Sequence, residues 1–193
     1  MLAYLLRSKV LPALVLIFAT LLLLPALPLA EAASPTLKVT SSGVVPQGSS
    51  VTINVKISHF APKCCSFDTF DVSVVTNPEV LLPQSITAGT KVASWTVFID
   101  CVNGVGTGCV ISDTAGIAHL AMTSSSGTPV FSHGPSILFS ITYTAVNSFP
   151  STDINATSVT ILHAGVAITP VIIDGFYGLL KSVRDMDFDL CPG

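Results

Sequence analysis

Charge is the scarcest commodity in this chain. Of its 193 residues, only 10% are Asp, Glu, Lys or Arg. The eight basic residues are spread from Arg7 to Arg184 without forming a patch, which argues against a nucleic-acid partner. Glutamate occurs only as Glu31 and Glu79, and no convincing carboxylate pair for glycoside hydrolysis can be nominated from these and the scattered aspartates. No Gly-x-Ser-x-Gly elbow is present, and His59, His119, His133 and His163 lie far apart, so no activated nucleophile stands out. Outside the first thirty residues no stretch sustains a 3.6-residue apolar period, which argues against a helical fold. An enzyme is not expected.

What the chain has instead is a beat of two. Val51, Ile53, Val55 and Ile57 alternate with Thr52, Asn54, Lys56 and Ser58. The beat returns where Ile137, Phe139, Ile141, Tyr143 and Ala145 alternate with Leu138, Ser140, Thr142 and Thr144. Successive strand side chains point to opposite faces, so this pattern specifies sheets with one dry and one wet face. Further strands are expected at Leu37–Val39, Phe70–Val74, Val80–Leu82, Gly116–Met122, Thr157–Leu162 and Ile168–Phe176. Another is expected at Val92–Ile99, with Trp95 on the face of Ala93 and Val97. Turn signals such as Pro46-Gln47-Gly48 and Asn77-Pro78 separate them. Many short strands at this spacing predict an all-β fold, an antiparallel β-sandwich.

The N-terminus reads differently. Arg7 and Lys9 precede an apolar run from Val10 to Leu29, and Ala30-Glu31-Ala32 supplies small residues for cleavage. Residues 1–32 are therefore read as a secretory signal, with an uncleaved anchor as the alternative and the only expected link to a membrane. Residues 33–178 form the sandwich and residues 179–193 a tail or linker. After cleavage six basic residues face ten acidic ones, a net charge of −4. The mature protein is expected to be secreted or held at the cell surface, where disulfides persist.

The order of these pieces resembles the cohesin-like modules of the cohesin and carbohydrate-binding superfamily, including those of archaeal extracellular proteins. The residues that carry the resemblance are Pro-Gln-Gly-Ser at 46–49 before Val-Thr-Ile-Asn-Val-Lys-Ile, and Phe-Asp-x-Phe-Asp-Val-x-Val at 67–74 before Asn-Pro-Glu-Val-Leu. Ser-Ile-Leu-Phe-Ser-Ile-Thr-Tyr-Thr-Ala-Val at 136–146 and the closing Asp174-Gly175 complete the set. Archaeal surface modules of this kind carry a loop comparable to Cys-x-Asn-Gly…Gly-Thr-Gly-Cys at 101–109. The resemblance implies a jelly roll of about nine strands and a non-catalytic role. Cohesins hold dockerin modules, and relatives bind polysaccharide or act as adhesive spacers. The first reading is thus polysaccharide binding; the alternative is a structural or adhesive module that binds another extracellular protein. No dockerin-contact residue can be carried over position by position.

Individual sites are few. Cys101 and Cys109 bracket a glycine-rich loop and are the expected disulfide, with Cys64 and Cys65 as competing partners and Cys191 left over. A zinc site from the first four has spacing unlike the common layouts. Asn155-Ala156-Thr157 is a glycosylation sequon. No cofactor is expected. The weak calcium candidates are Asp185-Met186-Asp187-Phe188-Asp189, which lacks a sixth-position glycine and a closing Glu, and Asp100 with Asn103 and Asp113. His119 is expected to be buried and hydrogen-bonded, and Trp95 and Tyr143 to pack in the core rather than stack on sugars.

Overall fold

The structure is a computed structural model and describes residues 34–58, 66–126, 130–131, 134–147 and 151–179. Fourteen strands occupy them: β1 (Thr36–Val39), β2 (Ser50–Ser58), β3 (Ser66–Phe67), β4 (Thr69–Val75), β5 (Leu81–Ala88), β6 (Thr96–Val102), β7 (Val105–Thr107), β8 (Ile117–Thr123), β9 (Val130–Phe131), β10 (Ser136–Ala145), β11 (Thr152–His163), β12 (Val166–Ile168), β13 (Val171–Ile173) and β14 (Gly175–Tyr177). They build an all-β sandwich. One sheet runs β13-β1-β2-β10-β5, the other β12-β11-β4-β8-β6-β7 with β14 on β11, and β3 pairs with β9 apart from both. Pairing between strands is antiparallel except where β13 joins β1 in parallel. The count exceeds nine because several strands have only two or three residues.

The beat of two becomes burial. Val51, Ile53, Val55 and Ile57 of β2 and Phe139, Ile141, Tyr143 and Ala145 of β10 all face the interior. Opposite them lie Phe70, Val72 and Val74 of β4 and Ala118, Leu120 and Met122 of β8. Phe70 and Phe139 stack across the gap between the sheets, with centroids 6.2 Å apart and planes 6° apart. Trp95 closes the same cluster, 5.5 Å from Phe67 and 6.0 Å from Phe70.

Four expectations need correction. Ile137 does not share the dry face: a bulge between Ile137 and Phe139 shifts the phase, so Leu138 is buried and Ile137 is exposed. Trp95 is not on a strand. Residues 90–94 turn, Val92 N–H donates to the Gly89 carbonyl, and Trp95 enters the core from the end of that turn while Ala93 and Val97 are exposed. The short strand expected at Val80–Leu82 runs on to Ala88, and the stretch Ile168–Phe176 is broken into the end of β12 and all of β13 and β14.

Two tyrosines in the core provide a test. Tyr177 accepts the Val45 N–H through its hydroxyl oxygen at 3.1 Å, whereas the Tyr143 hydroxyl has no partner among the described residues. An unpartnered buried hydroxyl loses its hydration without recompense. Tyr143→Phe should therefore leave stability unchanged or raise it by up to ~1 kcal/mol, while Tyr177→Phe should lower it by ~1 kcal/mol, as read by urea denaturation. Burial also pushes the Tyr143 phenol above its ordinary value of 10.0. The unfolded phenol ionises first as pH rises, so Tyr143 contributes a fall in stability above about pH 10 that Tyr143→Phe should remove.

Candidate functional site

The outer face of the seven-stranded sheet carries a dense set of polar side chains. Register places Thr69, Asp71 and Ser73 of β4 beside Thr123, Ala121 and His119 of β8 on that face. β11 contributes Leu162, Thr160 and Ser158 opposite the same β4 residues. Cys101 of β6 pairs with His119 on the other side. The side chains are short and mostly hydroxylic, and Thr69 and Thr123 join Oγ1 to Oγ1 at 2.7 Å across the strands.

His119 is the centre of this face. Its Nδ1 lies 2.9 Å from Asp113 Oδ1, and its Nε2 lies 2.7 Å from Asp71 Oδ1. Each ring nitrogen thus lies within hydrogen-bonding distance of its own aspartate oxygen, so the ring is held from both ends. His119 and Asp113 are both 5% exposed, whereas the Asp71 side chain is 39% exposed. Because both nitrogens are engaged, neither is available to take a proton from a serine, and the arrangement is not that of a nucleophile with its base.

The loop after β7 is drawn onto this face. Cys101 and Cys109 are joined by a disulfide with Cα atoms 5.3 Å apart. Asp113 Oδ2 accepts the Val110 N–H at 2.9 Å, so one carboxylate both caps the loop and holds the histidine. The β6–β7 hairpin turns on Asn103-Gly104, with φ of 54° and 78°, the left-handed pair that a two-residue primed turn requires. The Asn103 side chain then reaches both sheets: its amide donates to the Pro83 carbonyl of β5 at 2.7 Å, and its Oδ1 accepts the Gly116 N–H at 2.8 Å. Held in this way, the loop presents Val105, Val110 and Ile111 to solvent, with Ile111 fully exposed.

This accounting answers the metal candidates. Asn103 and Asp113 are committed to different partners, so they do not converge with Asp100 on a cation. Cys101, Cys109 and Asp113 offer ligand atoms within 4.8 Å of one another, but sulfurs joined to each other present no thiolates. Cys64, Cys65, Cys191, His59, His133 and the aspartates of 185–189 lie outside the described residues. His163 sits away from His119, with Nδ1 3.2 Å from Ser66 Oγ. Asn155 is exposed on β11, on the same outer face, opposite Val75 of β4. Trp95, Tyr143 and Tyr177 are buried, and among the described aromatic residues only Phe98 is widely exposed.

The Asp113–His119 pair is buried, so removing one member should cost more than a surface ion pair would. His119→Leu leaves the buried Asp113 side chain without its ring partner and should lower stability by ~3 kcal/mol in urea denaturation. Opening the disulfide with Cys101→Ser and Cys109→Ser releases a short loop and should cost ~2–3 kcal/mol by chain entropy.

With that geometry in place, comparison with known proteins is direct. The family model for the cohesin domain matches residues 35–176. No curated protein matches the chain. Among solved structures, a non-cellulosomal cohesin from the hyperthermophilic archaeon Archaeoglobus fulgidus superposes with a TM-score of 0.58 at 16% identity, covering 77% of this chain and 93% of that one. A cohesin of OlpA from Clostridium thermocellum, solved with a dockerin, gives 0.57 at 9% identity over 77% and 100% of the two chains. The sixth cohesin of scaffoldin B from Acetivibrio cellulolyticus, solved with the Cel5 dockerin, gives 0.56 at 12% over 76% and 99%. These likenesses concern the fold, and the family match covers most of the chain: it belongs to the cohesin domain family.

Proposed function

We propose that this chain is a non-catalytic extracellular module that binds another protein, of the dockerin kind, on the outer face of its seven-stranded sheet. Support comes first from the family, several of whose solved members are complexes with dockerins. The observation that carries the site is the face itself, where short side chains surround one fixed charged centre, Asp71 with His119 and Asp113. Four strands spaced about 4.8 Å apart make a patch of roughly 400 Å², about half of what one partner buries in a standard interface. The remainder would come from the stapled loop at its rim, whose Val105, Val110 and Ile111 supply apolar surface held in one conformation. Pre-ordering such a loop lowers the entropy lost on association.

The polysaccharide reading ranks below this one. It requires an exposed strip of aromatic rings or a calcium-lined groove, and the large rings of the described residues are mostly inside. Export is supported by the signal-like N-terminus, the disulfide and the sequon at Asn155, whose glycan would sit at the margin of the same face.

Titration calorimetry of the mature protein against a panel of clostridial and archaeal dockerin modules tests the reading. At least one should bind, and Ser158→Arg or Ile111→Asp should weaken it tenfold or more while Thr52→Arg, on the other sheet, leaves it unchanged. Retention on polysaccharide with no response to any dockerin would reverse the ranking. Equal loss from all three substitutions would place the site elsewhere.

A further inference from the structure

Two sulfurs and a carboxylate converge behind the rim loop. Cys101 and Asp113 are buried and Cys109 is half-buried, and one donor atom from each lies within 4.8 Å of the other two. β6 supplies Cys101, and the chain beyond β7 supplies Cys109 and Asp113. Joined as a disulfide, the sulfurs hold no cation. Reduction changes the donor set. Two molecules of a small thiol give up two electrons and form their own S–S bond, the Cys101–Cys109 bond breaks, and each cysteine sulfur gains one of their protons. A divalent cation that then takes both sulfurs as thiolates releases those two protons to solvent.

The geometry is close to what such a cation needs. Tetrahedral zinc, with bonds of ~2.3 Å to sulfur and ~2.1 Å to oxygen, sets neighbouring donors about 3.6–3.8 Å apart. The carboxylate therefore has to close on the sulfurs by about 1 Å at most. Gly104, Gly106 and Gly108 lie between the two cysteines and let the sulfurs part. Asp113 is already held as a ligating carboxylate is held. Its Oδ2 accepts the Val110 N–H, and its Oδ1 lies 2.9 Å from His119 Nδ1. The far nitrogen of that ring, Nε2, lies 2.7 Å from Asp71 Oδ1. Partners of this kind behind a ligand fix its orientation. Each carboxylate oxygen keeps a second lone pair for a cation. Cys109 stands on the half-buried side, where a water completes the coordination, as in zinc sites with three protein ligands.

We propose that Cys101, Cys109 and Asp113 form a redox-gated site for a thiophilic divalent cation, zinc above all. The site is closed as a disulfide when oxidised and becomes a cage of two thiolates and one carboxylate when reduced, with His119 as a positioning residue. The softness of the sulfurs selects zinc over calcium and magnesium. In either state the loop stays fastened to β6, so the site does not depend on what the outer face binds.

Cobalt, a coloured stand-in for zinc, tests the proposal in the full mature chain carrying Cys64→Ser, Cys65→Ser and Cys191→Ser, which leaves Cys101 and Cys109 as its cysteines. After reduction and removal of the reductant under argon, one cobalt per chain should bind with thiolate charge-transfer absorption and release two protons. Zinc should displace it, and the oxidised chain should take up neither. Asp113→Asn should weaken binding at least tenfold, and His119→Gln should shift the cobalt d–d bands while the thiolate absorption persists. Zinc should also raise the melting temperature of the reduced chain and leave that of the oxidised chain unchanged, a reading that needs no substitution at Asp113 or His119. Cobalt affinity unchanged by Asp113→Asn, or equally high in urea, would overturn the proposal, since any two thiols would then suffice. A reduced, folded chain that takes up no cobalt would overturn it as well.

Discussion

The stacking of Phe70 on Phe139 fixes the distance between the two sheets, and much else follows from it. One ring comes from each sheet, and Trp95 and Phe67 pack around the pair. Four large rings in one place leave little freedom in how the sheets slide, because aromatic contact area is large and its preferred geometries are few. The strands on either side then need only aliphatic fill, which Val, Ile and Leu at alternate positions provide. A chain so poor in charge tolerates this arrangement because its wet faces are wetted by hydroxyls: Thr69, Thr123, Ser158 and Thr160 stand where other proteins place Lys and Glu.

That economy makes the cluster of Asp71, His119 and Asp113 conspicuous. A buried histidine held between two aspartates is a poor way to gain stability compared with apolar packing of the same volume. It is a good way to fix one conformation, because a misplaced loop would strand a charge. Asp113 accepts from Val110 and from His119 at once, so the path of the loop and the state of the face are set by the same atoms. The disulfide at Cys101 and the Asn103 side chain restrain the same hairpin from two further directions. Three independent restraints between Cys101 and Gly116 make sense for a rim that must keep its shape when a partner arrives.

The sandwich was legible because period-two alternation is a local signal, and β2 carries it without interruption. Where the signal failed, a single backbone event had intervened. At Ile137 the bulge inserts one residue and reverses which side chains are inside, and nothing in Ser-Ile-Leu-Phe announces it. At Trp95 the ring's burial was foreseen, but a strand was expected where the chain turns, since a turn residue can bury a ring as well as a strand residue can. The hairpin at Asn103-Gly104 had an adequate signal, an Asn-Gly pair between strands, hidden within a run of glycines that read as a loop. The candidate site was hardly legible. His119 read as a buried, bonded histidine, but its partners are 48 residues upstream and six upstream in sequence, on a strand and a loop that only the sheet register and the disulfide bring together.

The two sheets thus divide the surface in physically different ways. The seven-stranded sheet has a finished outer face: its polar groups are paired, its loop is restrained, and a partner would meet a fixed relief. Among the described residues the five-stranded sheet ends on β13, where Ile172 faces inward half-exposed and its N–H and C=O face outward from the ladder. A finished face binds by complementarity and rejects what does not fit; an open edge binds any extended segment of suitable alternation, which makes it a hazard between molecules.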